Sequence, residues 1–510
     1  MKPSPQPIPQ TQRKATPPGA DPSGPGRSFD GRTIHFVGIG GCGMSGLARL
    51  LKELGAVCSG TDNVPSALTA ALATEGIAVS HEQTAGAVPE DADLLIASAA
   101  IGADHPELLA ARARGIPVLS YAETLGRVQT GRTGVAIAGT HGKSTAAAML
   151  CHVLIECGLD PSFIIGATCP QIGGGSRVGA ARVPGAGPLA GRPGILVAEA
   201  CEFNRSFHHH RPRLALINNV EEDHLDIYGT LDAVVEAFGR FAELLPPARE
   251  GGRLLIGHDG SHRRRITAGL PCAIETFGFS PAADYQVTMS SDRREVGLHQ
   301  RGRRLGAWMN AMPGEHNALN AAAAAVMAGY LGAQWPAIAT ALDGFRGLDR
   351  RMQRLGTRPV ADGEVVVYDD YGHHPTEIDA TLRALRATEQ PRRLICVFQP
   401  HQHSRTRFLL EQFARSFSFA DVVIVPHIYF VRDSEIEKQR VSAAALVDRL
   451  RQQGITAMHL YPFEAIVEQL EVMARDGDLV VIMGAGPVWQ VARKFLEAAR
   501  PRTARSGTDA

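Results

Sequence analysis

Lysine is nearly missing from this chain. Its 510 residues carry six lysines against 46 arginines, and Lys143 is the only one between Lys52 and Lys438. Net charge is missing as well, with 52 basic and 52 acidic side chains, so no overall basic field recommends nucleic acid or an anionic membrane as a partner. The eight cysteines (42, 58, 151, 157, 169, 201, 272 and 396) include no C-x-x-C pair, which argues against a disulfide framework and against a zinc ribbon. No apolar run reaches the ~20 residues that a membrane helix needs. The N-terminus is polar and proline-rich rather than built like a signal peptide, so a cytoplasmic protein is expected. A chain of this length exceeds one hydrophobic core, and two to four domains are expected.

What is present centres on residues 135–145. Val135-Ala136-Ile137-Ala138 reads as a buried strand, Gly139-Thr140-His141-Gly142 as a turn, and Lys143-Ser144-Thr145 as the start of an alanine-rich helix. Backbone N–H groups of such a loop can face phosphate oxygens, Lys143 supplies a cation, and Ser144 or Thr145 a hydroxyl for Mg²⁺. A strict P-loop has glycine where this chain has Ile137, so the loop is a tighter variant. The plain alternative is a helix start with an exposed lysine. A lysine kept where arginine is used almost everywhere favours an ATP site.

In chain order, residues 1–30 read as a disordered proline-rich tail. Strand Ile34–Val37, the turn carrying Gly38, Gly40, Gly41 and Gly43, a helix over Leu47–Leu54 and a strand ending near Asp62 form a G-x-G-x-x-G Rossmann fingerprint. Alone it suggests NAD. Further strands at Ala92–Ala97 and Ile116–Ser120 lead straight into the ATP loop, and such a half can equally hold a nucleoside diphosphate, with Asp62 near its ribose or base.

Cys169–Gly194, with eight glycines from 173 onward, reads as a flexible loop or insertion. Strand Ile195–Glu199 carries a carboxylate to its end, and Leu214–Asn219 runs into Glu221-Glu222-Asp223-His224. Beside a phosphate loop, Glu199 and His224 suit Mg²⁺ (or Mn²⁺) and its triphosphate, while each alone is explained as a surface group. His208–His210 read as solvated surface. Residues 251–312 read as irregular strands. His316 and Asn317 open an alanine-rich helix, where they suit either a base edge or a plain N-cap. Strands Val365–Tyr368, Leu394–Phe398, Val422–Val425 and Leu479–Met483, alternating with helical runs at 376–388, 404–418, 441–453 and 464–475, predict a parallel α/β unit. Its strand ends carry Asp370-Tyr371-Gly372-His373-His374 and His401-Gln402-His403-Ser404-Arg405, which the strand-end rule gathers in one cleft.

Six stretches in order, GIGGCGMSGLA, GTHGKST, NNVEEDHLD, GEHNALNA, DDYGHHPTE and QPHQHSRT, resemble the Mur ligases of peptidoglycan synthesis, over roughly residues 31–495. The resemblance implies an α/β protein of three domains: a Rossmann-like UDP-binding domain (31–130), a central P-loop-type ATPase domain (131–344) and a C-terminal Rossmann-like domain presenting an amino acid (345–497), before a disordered tail (498–510). Within the family it is strongest to the alanine-adding branch. That implies phosphorylation by ATP of the lactyl carboxylate of UDP-N-acetylmuramate and attack on the acyl phosphate by the amine of L-alanine. Monomer and homodimer both stay open.

The residues carried over by resemblance are these. Gly38, Gly40, Gly41, Gly43, Met44, Ser45, Asp62 and Ser98 would line the UDP-sugar site, and Gly139, Thr140, His141, Gly142, Lys143, Ser144 and Thr145 the ATP phosphates. Ser144 and Glu199 would hold one Mg²⁺ and His224 a second. His316, Asn317 and Asn320 would serve adenine, Arg351 the γ-phosphate and Asp370 the ribose. Tyr371, His373, His401 and Arg405 would surround the amino acid, with Arg405 on its carboxylate. Lys143, His224, Arg351, His373 and Arg405 would carry the chemistry.

Departures are visible. Cys201 stands where the family has an acid, Gln402 where it has arginine and His403 where it has tyrosine; Ser120-Tyr121 replaces an arginine site. Related ligases bridge two metals with a carbamylated lysine, and residues 144–437 hold no lysine. The alternatives are the family's recycling branch, which attaches a ready-made tripeptide to the same sugar nucleotide, a nicotinamide-dependent oxidoreductase, and a nucleotide-binding regulatory protein.

Overall fold

The computed structural model describes residues 29–431 and 433–497, so the segments 1–28 and 498–510, expected to be disordered tails, lie outside the described residues. Phe29, which the sequence assigns to the tail, is instead buried in the first hydrophobic core.

Three sheets follow one another along the chain. The first has five parallel strands in the spatial order Ala78–Ser80, Val57–Thr61, Thr33–Val37, Leu94–Ala97, Val118–Ser120. The strand order reverses beside Thr33–Val37, the switch point at which open α/β sheets form a ligand crevice. The second sheet has ten strands. At its centre Thr133–Ala138 lies between Ile195–Glu199 and Leu214–Ile217, all parallel and buried, which explains their near-continuous apolar runs. Residues 251–312 are more regular than expected: Arg253–Gly257, Ala273–Gly278 and Tyr285–Met289 continue the parallel set, and Glu295–Gln300 and Arg303–Met309 close it as an antiparallel hairpin.

The third sheet is parallel from Gly363–Asp370 through Leu479–Met483, Leu394–Phe398 and Val422–Val425 to Thr456–His459. Two of its strands escape the sequence reading. Gln353–Val360 pairs antiparallel at one edge, and short Thr456–His459 forms the other. The helical run expected over 404–418 breaks into His403–Phe408 and Leu410–Arg415.

Helices Lys143–Glu156 and Glu315–Tyr330 pack against each other over one face of the central sheet. Ten of their thirty residues are alanine, which lets the backbones approach closely, and being largely apolar on all sides they are buried along most of their length. This fixes the N-terminus of each at the same junction. Among the described residues no helix is long and apolar enough to cross a membrane.

Candidate active site

Strand Thr133–Ala138 hands over to the phosphate loop at Gly139 (φ +138°), and the loop ends at Gly142 (φ +79°), the left-handed N-cap of helix Lys143–Glu156. A side chain fits at neither glycine. A Cβ on Gly142 would lie 2.4 Å from Asn320 Oδ1, and one on Gly139 would lie 2.9 Å from Asn218 Cβ. Asn218 Nδ2 donates to Asn320 Oδ1 (3.1 Å), Asn320 Nδ2 to Asn317 Oδ1 (3.3 Å), and Asn317 Nδ2 to Pro313 O (2.9 Å). Asn317 and Asn320, expected at adenine, thus also brace the loop from the neighbouring helix. Thr140 Oγ1 accepts from Glu221 N and His141 N donates to Asn219 Oδ1, which ties the loop to the end of the next strand.

Lys143 Nζ sits inside this loop, 2.7 Å from Gly139 O, 3.0 Å from Thr140 O and 2.9 Å from Glu202 Oε2. Burial works against its charge, but Glu202, Cys201 and Glu199 together outweigh it and the pKa is raised. Two donor sets flank it. Ser144 Oγ donates to Glu199 Oε2 (2.9 Å), which also accepts from Gly166 N (2.8 Å). On the other side Glu202, Asp223 and His224 bring ligand atoms within 4.8 Å of one another. A hydroxyl with a carboxylate, and two carboxylates with an imidazole, are donors that suit Mg²⁺ or Mn²⁺. Glu202 and Asp223 were missed from sequence, although Asp223 lies within the NNVEEDHLD stretch and Glu202 directly follows Cys201.

Between the second and third sheets a cavity of about 360 Å³ opens beside the loop, lined among others by Thr145, His316, Asn317, Asn320, Arg351 and Asp370. Burial pushes the His316 imidazole down to about 4, so it presents a neutral ring, suited to a base edge. Arg351 lies 3.6 Å from Glu377 Oε1 and covers the ring of Tyr371. Asp370 departs from the simple ribose reading: Oδ1 accepts from Gly372 N and Oδ2 from Met352 N (2.8 Å), so the carboxylate anchors the entry into the third sheet. Burial raises its pKa to about 6.

Tyr371, His373, His401 and Arg405 do come together. The His373 ring lies 5.4 Å from that of Tyr371 and 5.8 Å from that of His401, and Arg405 Nη1 is 3.2 Å from His401 Nδ1. Burial holds His373 down at about 3, against the pull of Glu377 and with help from Arg405, so it is a neutral ring and a weak base. Arg405 also has a partner that the sequence did not announce: its guanidinium is tied to Asp223 of the second domain, with Nε at 3.0 Å and Nη2 at 2.9 Å from Asp223 Oδ1. Its helix, His403–Phe408, is capped by Asp433, whose Oδ1 accepts from Ser404 Oγ (2.6 Å) and whose Oδ2 accepts from His403 N. Gln402 precedes it, buried, with φ +68°.

The first sheet offers the second loop. Gly38 takes φ +80°, with Ser98 Cβ 3.0 Å from where its own Cβ would be, and Gly43 packs on the ring of Tyr121. Asp62 Oδ2 accepts from Gly40 N (2.8 Å), so this acid braces the glycine turn. Gly41 has more room. Met44 and Ser45 depart from expectation. Both side chains are buried, Met44 in the first core and Ser45 bonded to Cys42 O, because helix Cys42–Glu53 has already begun and turns that face onto the sheet. That helix also packs on the hairpin Ser162–Cys169/Gly174–Arg177, whose second strand lies within the stretch expected to be a flexible loop. A Cβ on Gly46 would lie 2.6 Å from Ser176 Cβ and one on Gly175 2.8 Å from Cys42 Sγ, so these glycines permit close packing. His208–His210 are only partly surface: His208 stacks on Phe207, and His210 is buried with its pKa pushed down to about 4.

Comparison with known proteins accounts for this plan. Residues 33–132 match the family described as "Mur ligase family, catalytic domain", residues 137–328 "Mur ligase middle domain" and residues 350–486 "Mur ligase, glutamate ligase domain". The UDP-N-acetylmuramate–L-alanine ligase of Desulfitobacterium hafniense is 36% identical over 467 residues, which cover 91% of this chain and 99% of that one. The chain belongs to the Mur ligase family. The enzyme of the same name from Pelotomaculum thermopropionicum is 38% identical, over 91% of this chain and 97% of its own. Among solved structures, the UDP-N-acetylmuramate-alanine ligase of Thermotoga maritima superposes with a TM-score of 0.71 at 27% identity, covering 91% of this chain and 98% of that one. A murein peptide ligase from Psychrobacter arcticus shares the fold (TM-score 0.68, 24% identity, 92% and 99% covered). The three-domain α/β architecture is that of the Mur ligases.

Proposed function

We propose that this Mur ligase joins L-alanine to the lactyl carboxylate of UDP-N-acetylmuramate at the expense of ATP, a step in peptidoglycan-precursor synthesis. The observation that carries the reading is the meeting of three strand-end sites at one junction. The glycine turn of residues 31–130 abuts the hairpin that touches Glu199, the phosphate loop of 131–344 holds Lys143, and the Tyr371–Arg405 cluster of 345–497 closes on Asp223. The identity to ligases of that name, 36% and 38%, supports the same substrates.

A carboxylate is a poor electrophile. In this reading a lactyl oxygen attacks the γ-phosphorus, ADP leaves, and the acyl phosphate so formed carries a good leaving group. The alanine nitrogen then attacks the acyl carbon, and the tetrahedral intermediate collapses to amide and inorganic phosphate. Lys143 moves from its loop carbonyls onto the transferring phosphoryl and, with Arg351, neutralises the charge spread over its oxygens. Ser144 with Glu199, and His224 with Glu202 and Asp223, would hold Mg²⁺, which supplies further charge neutralisation on the triphosphate. His316 meets the base edge, while Asn317 and Asn320 hold the loop that cradles the phosphates. Closure of the third domain over the second keeps water from the acyl phosphate. Gly38, Gly40, Gly41 and Gly43 admit the pyrophosphate of UDP, with Ser98 at the wall.

Adding hydroxylamine in place of L-alanine tests the intermediate. The sugar nucleotide and ATP then give a hydroxamate together with ADP and phosphate, and absence of hydroxamate under ADP-forming conditions would contradict the acyl-phosphate route.

A further inference from the structure

Outside the two donor sets around Lys143 lies a third cluster of metal-ligand chemistry. His141 of the phosphate loop, Glu221 beyond strand Leu214–Ile217 and His374 at the N-cap of helix Pro375–Glu389 place one ligand atom each within 4.8 Å of one another. We propose that these three side chains bind a transition metal of zinc's class, and that the bound ion clamps the third domain onto the phosphate loop and inhibits nucleotide entry.

Spacing is the first argument. His141 Nε2 and Glu221 Oε2 are 3.5 Å apart, at the outer limit of a hydrogen bond, and the Nε2 atom is buried with no hydrogen-bond partner. In a tetrahedral zinc site with ligands at ~2.0–2.1 Å, neighbouring ligand atoms lie about 3.4 Å apart. The pair is spaced as two corners of that tetrahedron.

Support for each ligand is the second. His141 Nδ1 faces Glu377 Oε1 at 3.4 Å, His374 Nε2 donates to Glu222 O at 2.9 Å, and Thr376 Oγ1 donates to Glu221 at 2.6 Å. A carboxylate or carbonyl on the far nitrogen of each imidazole fixes the ring and raises its basicity, the arrangement that zinc-binding histidines use. His374 Nδ1, the remaining nitrogen, accepts from Thr376 N as the helix cap at 3.3 Å, a long bond that the ion would replace. Two imidazoles and one carboxylate favour zinc over Mg²⁺, whereas the Ser144–Glu199 pair is all oxygen.

Position decides the consequence. His141 and Glu221 come from the second sheet and His374 from the third, and His141, Glu221 and Glu377 all line the 360 Å³ cavity. An ion there ties the two units together and occupies the cavity wall beside the phosphate loop. The inference rests on this geometry and not on which substrates the enzyme joins.

Cobalt(II) is the probe, because four-coordinate cobalt absorbs far more strongly in the visible than six-coordinate cobalt. Added to the full chain in excess Mg²⁺, it is expected to give an intense band at one equivalent that zinc abolishes. His374→Ala and Glu221→Gln should each weaken cobalt binding by at least ~10-fold. Glu199→Gln should leave the band in place. Glu221→Gln keeps the size of the side chain, so it carries the test if His374→Ala fails to fold. A wild-type protein without the band, or a band that survives Glu221→Gln or disappears with Glu199→Gln, would overturn the assignment.

Discussion

Arg405 donates two N–H groups to a single oxygen of Asp223, 182 residues away, at 3.0 and 2.9 Å, and both side chains are buried. The pair joins the helix of the amino-acid cluster to the segment that carries His224. Asp223 is held well below the usual carboxylate range: burial opposes this, but Arg405 together with His224, His373 and His374 outweighs it. The arginine placed on the amino-acid carboxylate by resemblance is therefore also a bolt between two domains.

That dual role separates two expectations. Arg405→Ala should raise KM for the amino acid with little effect on KM for ATP, at a cost of ~1.5–3 kcal/mol for a lost charge-assisted bond. It should also destabilise the protein by ~3–5 kcal/mol, since Asp223 is left buried and unpaired. Adding Asp223→Asn should restore much of the stability without restoring the KM. Urea denaturation of the four proteins in the cycle measures this, and additive losses would show that the pair is not coupled.

Lys143→Ala should lower turnover by ~10²–10³. Lys143 also neutralises Glu202, whose carboxyl burial pushes above its usual range. The single variant should thus lose stability as well, and Lys143→Ala with Glu202→Gln should regain the melting temperature but not the activity. Near-normal ADP release from Lys143→Ala would contradict the assignment of the loop.

The pH dependence of stability carries a signature of His141. Burial opposes its charge, yet Glu221 and Glu377 raise its pKa to about 9, against ~6.5 in an unfolded chain. A raised histidine pKa stabilises fully below ~6.5 and loses that contribution as pH climbs through 9. With Glu221 more than a third exposed, we expect ~1–2 kcal/mol to be lost across that window after solvent screening. His141→Asn should flatten the profile between pH 6.5 and 9, as followed by denaturant midpoints. An unchanged slope would rule out the charged imidazole.

Gly142→Ala should raise KM for ATP far more than it lowers stability. A left-handed alanine costs ~1–2 kcal/mol, while the added Cβ meets Asn320 Oδ1 at 2.4 Å and must displace the asparagine that braces the loop. Pairing it with Asn320→Ala should recover part of the ATP affinity. No recovery would mean that backbone strain alone sets the effect.

Much of this was legible in the sequence because strand runs such as Ile195–Glu199 and Leu394–Phe398 are buried on both faces and read as uninterrupted apolar segments. The strand-end rule puts Glu199 at the end of its strand beside the phosphate loop, and Asp370 and His401 at the ends of theirs in the third sheet. Edge strands were harder. Gln353–Val360 is polar and half exposed, and its pairing with Gly363–Asp370 depends on the turn between them rather than on periodicity. Glycine was the other trap. Gly174 and Gly175 read as flexibility, yet Gly175 belongs to a hairpin whose backbone must approach Cys42 closely. Met44 and Ser45 failed for a related reason, because a motif marks a loop's position but not the face that each side chain takes once the helix has begun. Asp223 and Asp433 act across 182 and about 30 residues, and no local pattern announces partners at that range.

The central claim is the identity of the acceptor and of the nucleophile, and one assay addresses both. The enzyme is given ATP, Mg²⁺ and UDP-N-acetylmuramate with L-alanine, glycine, L-serine or the ready-made tripeptide of the recycling branch, and kcat/KM is taken from ADP and phosphate release. L-Alanine should lead glycine and L-serine by margins within the ~1–3 kcal/mol that a methyl or hydroxyl can supply, with no turnover on the tripeptide. Turnover on the tripeptide with none on the three amino acids would contradict the account.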